Sequence, residues 1–129
     1  QAICDVGQNL GARVVLCKQP TLPTPDSTEE DQRKMAYPRG LDHEELVKAI
    51  TACHRAIEEV GAEKGCTVID LTESISGRFE YFTDQIHFTP AGSRRAAEVV
   101  ADGLRKIIAS RAPVPPSADP AVEAAATRD

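Results

Sequence analysis

The sequence predicts an α/β fold with parallel strands, and three features carry that prediction. Two short apolar runs, 13–17 (RVVLC) and 66–71 (CTVIDL), lack polar alternation, the pattern of strands covered on both faces. Between them runs a long helical repeat, and after the second comes a further helix with a strong start signal. Strand, helix, strand, helix is a right-handed βαβ unit with one more helix, the building block of a doubly wound parallel sheet.

Each element has a local cause. Residues 1–12 read as the end of a helix or a loop that closes at Gly11. The strand 13–17 runs into Pro20, Pro23 and Pro25, which forbid regular structure, and such loops at the ends of buried strands are where α/β proteins place ligand contacts. Residues 26–33 predict a short helix with Ser27 and Glu30 as a capping box, ended by 37–40 (YPRG). The long helix starts at Asp42, with Glu45 reaching back. Its stripe of Leu46, Ile50, Cys53, Ile57 and Val60 recurs at steps of four and three, and Gly65 stops it. The last helix is capped by Thr89 with Pro90 at its first position, and its apolar face is Ala96, Val99, Val100, Leu104, Ile107 and Ile108.

The chain's 129 residues are the length of one domain. Two strands, however, fall short of the roughly four to six of an ordinary sheet. The expectation is therefore that 1–111 form the C-terminal part of a larger α/β domain and that the Ala- and Pro-rich 112–129 are a disordered tail. A compact variant with an extra strand near 79–83 is the alternative.

Composition narrows the function. With 41% hydrophobic and 27% charged residues the chain has the balance of a soluble globular domain. A net charge of −5 argues against attraction to nucleic acid or an anionic membrane surface. Apolar runs of a few residues fall far short of the roughly 18 that span a bilayer. Cys4, Cys17, Cys53 and Cys66 have no metal-type spacing and read as small buried hydrophobes. Neither a metal nor a cofactor is expected.

Four of the five aromatic residues, Phe79, Tyr81, Phe82 and Phe88, fall within 79–88, and there the chemistry also concentrates. Asp84 stands three residues before His87 on a turn just ahead of a helix. A carboxylate so placed can accept from one imidazole nitrogen, set the tautomer and leave the other nitrogen as a general base. The spacing alone equally suits a turn Asp and a helix-entry His.

The stretch 84–92 (DQIHFTPAG) resembles the final block of the SGNH (GDSL-type) hydrolases, in which Asp-x-x-His-Phe/Leu-Ser/Thr-x-x-Gly precedes the last helix. The order of a strand with a Pro-containing loop, a long helix and a strand ending in Asp is also similar to the second half of that fold, over about residues 10–110. The resemblance implies a flavodoxin-like three-layer parallel sheet, present here in its second half. It also implies an ester hydrolase in which Asp84 orients His87 as the base of a serine triad. The substrate would be a small-molecule, lipid or carbohydrate ester.

The chain departs from the family at the nucleophile. None of its serines, Ser27, Ser74, Ser76, Ser93, Ser110 and Ser117, lies in a Gly-Asp-Ser context, so the nucleophile is expected upstream of residue 1. Without it no acyl-enzyme can form. Gly7-Gln8-Asn9 spells the family's Gly-x-Asn, but it stands too close to the first strand to match. A non-catalytic remnant or interaction module on the same scaffold is the competing reading.

Phe82 and Phe88 are candidate walls of a substrate pocket, with core packing an equal alternative. Asp70 is expected to bond backbone amides at its strand end, although the resemblance also allows it to point toward the site. His54 is expected to be packed or half-exposed, and His43 to lie at the surface.

Overall fold

The computed structural model describes residues 1–37 and 40–110. The expected tail, 112–129, lies outside the described residues. The protein is a mixed α/β chain of mostly helices around a two-stranded parallel sheet. Strand β1 (Val15–Lys18) pairs with β2 (Thr67–Asp70) in the register Val15 to Thr67 through Lys18 to Asp70. Helix α1 (Ala2–Asn9) precedes β1, α2 (Glu29–Lys34) and α3 (His43–Lys64) connect the strands, and α4 (Thr72–Ile75) and α5 (Pro90–Ala109) follow β2.

The alternation of side chains along a strand places the two long helices on opposite faces of this pair. Leu16 and Val68 are register partners on the face of α3. A Cβ on Gly61 of α3 would come within 2.5 Å of Val68 Cγ2, so the missing side chain is what lets that helix approach. The next pair, Cys17 and Ile69, points the other way, where a Cβ on Gly103 of α5 would lie 2.6 Å from Ile69 Cδ1. Because α5 covers the β2 side of that face, Ile69 is buried and Cys17 is exposed.

The strands are shorter than the apolar runs, and β1 is half-covered rather than enclosed on both faces. Two of the four cysteines correct the expectation of burial: Cys4 and Cys66 are buried, whereas Cys17 and Cys53 are exposed. Cys53 faces solvent because, among the described residues, nothing packs over that part of the stripe on α3. On α5, Ala96, Val99, Val100 and Ile107 pack on the core, while Leu104 and Ile108 lie exposed beyond the edge of the narrow sheet.

Capping follows the predicted logic with one shift. Asp42 and Glu45 form the capping box of α3, and Gly65 closes it in the left-handed conformation at φ 62°. For α2 the box is Thr28 with Asp31 rather than Ser27 with Glu30. Ser27 instead uses its hydroxyl on the amide of Thr24 at 3.0 Å. In place of a strand at 79–83 there is a 3-10 turn, Phe79–Tyr81, followed by one antiparallel bridge between Phe82 and Phe88.

The loop after β1 is buried, which is unusual because a buried loop must satisfy its own amides. Pro20 and Pro23 are almost wholly buried, and Thr21 and Leu22 nearly so. Proline has no N–H to satisfy, and the amides that remain find partners. Leu22 N–H donates to the Gln85 carbonyl at 2.8 Å, and Thr21 N–H donates to Ser76 Oγ at 3.2 Å. The first ties the loop after β1 to the turn carrying Asp84 and His87, and the second ties it to the end of α4. Leu22, Met35, Ile69, Leu71, Ile75 and Phe82 form the core beneath it.

Candidate active site

Asp84 and His87 meet. Asp84 Oδ2 lies 2.7 Å from His87 Nδ1, while Asp84 Oδ1 accepts the backbone N–H groups of Ile86 at 2.9 Å and His87 at 2.8 Å. An aspartate that captures amides two and three residues ahead closes a turn on itself, and here the same turn delivers the imidazole to the second oxygen. Those hydrogen bonds, the two amides first and the imidazole after them, lower the Asp84 carboxyl to about 2. Above that pH it is an acceptor only, so Nδ1 carries the proton and neutral His87 presents Nε2 as a free base. Nε2 has no hydrogen-bond partner among the described residues, and 73% of the side chain is exposed.

The turn is held on both flanks. Thr83 N–H and Oγ1–H both donate to the His87 carbonyl, at 2.8 and 3.1 Å. Phe82 and Phe88 pair beyond them with ring centroids 5.3 Å apart, Phe82 buried in the core and Phe88 packed against it. Thr89 caps α5 by accepting from Gly92 N–H, and its own hydroxyl donates to the Glu80 carbonyl. Gly92 sits against Tyr81, where a Cβ would fall 2.1 Å from the carbonyl oxygen. The glycine is therefore required for the helix to start this close to the loop.

The remaining candidates lie elsewhere. Asp70 caps the turn after β2, accepting from Thr72 N–H at 2.8 Å and Thr72 Oγ1–H at 2.6 Å, and it contacts Lys18. Partial burial would raise its pKa, but the bonds from Lys18 and Thr72 outweigh that and lower it. Lys18 is shared with Glu58 at 2.7 Å, and its pKa is raised, first by Asp70 and then by Glu58. Asp70 thus bonds a backbone amide at its strand end, as expected. Gly7-Gln8-Asn9 lies within α1, with Gln8 Nε2 donating to the Lys64 carbonyl at 2.6 Å.

His54, half-buried as expected, donates from Nε2 to the Gln19 carbonyl at 2.8 Å. His43 is not a surface residue. It is half-buried and engaged at both nitrogens: Nε2 with the Thr24 carbonyl at 3.1 Å and Nδ1 with Tyr37 OH at 2.9 Å. The signal for this was Tyr37 six residues upstream, but only the path of the buried loop brings Thr24 into reach.

Among the described residues no helix is long and apolar enough to cross a membrane. Compared with known proteins, the chain matches no family model, no curated protein and no solved structure.

Proposed function

We propose that this chain supplies the acid and base of an ester hydrolase of the SGNH type, with the serine nucleophile lying outside these residues, upstream. The observation that carries the reading is the Asp84 to His87 contact at 2.7 Å, made by a carboxylate whose other oxygen is already held by two amides. Asp84 stays ionised, orients the ring and stabilises the imidazolium that forms when Nε2 takes the serine proton. The same imidazolium then returns its proton to the departing alkoxide. In the second half of the cycle His87 activates water to release the acyl group.

A three-layer, flavodoxin-like sheet in the whole protein fits the open form of this half. Among the described residues, helices lie on both faces of a pair of strands, β1 has a free edge, and Ile3, Leu10 and Ile108 are exposed. The same exposed residues favour the second reading, an interaction module that retains the scaffold without the chemistry. A fluorophosphonate probe separates the two. Stoichiometric labelling of a serine upstream of this chain in the natural protein, lost in His87→Ala, supports the hydrolase. An unlabelled natural protein removes that reading. The 129-residue chain by itself is expected to take no label.

A further inference from the structure

Cys4 and Cys66 are buried, at 1% and 8% exposure, and they belong to segments far apart in the chain. Cys4 lies in the first half of α1, and Cys66 stands between Gly65, which closes α3, and the first residue of β2. Gln8 is one turn beyond Cys4 on the same face of α1, and its Nε2 reaches both the Lys64 carbonyl at 2.6 Å and Cys66 Sγ at 3.6 Å. Asp5 adds an ion pair to Lys64 at 3.1 Å, and Gln1 Nε2 donates to Glu63 at 2.9 Å. This side of α1 is thereby docked on the junction of α3 and β2, and within that contact the Cys4 thiol bonds to the Cys66 thiol. Burial first, and that bond after it, raise the Cys66 pKa, so its resting form is the thiol. Among the described residues no group of three His, Cys, Asp or Glu side chains could hold a metal ion. Two adjoining thiols outside such a donor set can still be joined by oxidation.

We propose that Cys4 and Cys66 form a redox-sensitive clamp: a peroxide oxidises them to a disulfide that locks α1 onto the start of β2, and a thiol reductant releases it. The more exposed Cys66 reacts first. Its thiolate attacks one peroxide oxygen, the O–O bond breaks, and the departing hydroxide takes up the proton that the thiol lost. The Cys4 thiolate then attacks the sulfenic sulfur. The S–S bond forms, the S–O bond breaks, and the second hydroxide takes the Cys4 proton. Two thiols lose two electrons and two protons, and one hydrogen peroxide becomes two waters. Because the raised pKa keeps the Cys66 thiolate scarce, the clamp answers sustained rather than brief oxidation. No step uses Asp84 or His87, so the clamp stands or falls separately from the hydrolase.

Each of the four cysteines falls on its own tryptic peptide, because Arg13, Lys18, Lys48, Arg55, Lys64 and Arg78 separate them. In the natural protein, iodoacetamide should first cap the exposed Cys17 and Cys53 and spare the buried pair. Hydrogen peroxide is then expected to link the peptide ending at Arg13 to Gly65–Arg78, two hydrogens lighter than the two apart, and dithiothreitol to separate them again. Oxidation should lower the unfolding constant about 10³-fold, the effect of closing a loop of about 60 residues in the chain-entropy account. In Cys4→Ser no link forms, and Cys66 should stop at the sulfenic acid, which dimedone traps. Capping of all four cysteines alike, Cys4 and Cys66 left unlinked by peroxide, or a link that leaves the denaturation midpoint unchanged would each overturn the proposal.

Discussion

His43 and His87 both stand at the entrance to a long helix, and each has a partner a few residues away, yet they are held in opposite ways. His43 opens α3 and has both ring nitrogens engaged, one by a carbonyl and one by a phenol, in a half-buried position. His87 precedes α5 and has one nitrogen engaged by a carboxylate, with the other open. The first arrangement pins a loop to a helix. The second leaves an oriented base. What separates them is how many nitrogens are taken: a carbonyl and a phenol occupy both on His43, whereas on His87 a carboxylate that can only accept takes Nδ1 and leaves Nε2 open.

The largest test of this contrast is catalytic. On the proposed hydrolase reading, His87→Ala in the natural protein should lower kcat for p-nitrophenyl ester hydrolysis by about 10⁶-fold, while His43→Ala stays near wild type. Equal losses in both variants would erase the distinction. Asp84→Asn should be the milder lesion of the pair, about 10⁴-fold, because the amide keeps the ring in place but cannot hold the same tautomer or stabilise its charge. Near-native activity in that variant would remove Asp84 from the mechanism.

Stability should rank the two histidines the other way. By chemical denaturation of the chain, His43→Ala is expected to cost about 1–2 kcal/mol through its two lost hydrogen bonds. His87→Ala, at an exposed position, should stay within about 0.5 kcal/mol. A reversed order would mean that the His87 turn is part of the core.

The smallest effect sharpens the origin of the Asp84 shift. Its pKa is depressed from 3.8 to about 2, so the stability that it contributes is present above the ordinary carboxylate range and is lost as pH falls through about 2. The two amides are the largest causes, and the imidazole comes after them. Carboxyl ¹³C titration should therefore find Asp84 still below 3.8 in His87→Ala. A full return to the ordinary value would assign the shift to the imidazole instead.

Where information is local, the sequence was legible. Asp42 with Glu45, Gly65, Thr89 with Pro90, and the Asp-x-x-His turn all act within four residues, so their bonds follow from spacing. The α2 box slipped by one residue because Ser27 and Thr28 are equally good caps, and the Thr24 amide claimed Ser27. The cysteines, the exposed Ile108 and the half-buried His43 were misread or unread for a different reason. Burial depends on what covers a residue, and periodicity marks an apolar face without saying whether anything lies on it.

The sequence by itself determined the two strand runs, the two long helices with their caps, and an aspartate placed to reach a histidine, since each is a matter of short-range backbone and side-chain geometry. Only the tertiary structure decided the rest. A buried proline loop docks on the turn through Leu22 and Gln85, His43 reaches Thr24, and Ile86 meets α3 across a groove, because those contacts join segments far apart in the chain. The paths of the buried loop and of the loop after β2 set those distances, and no local pattern encodes them.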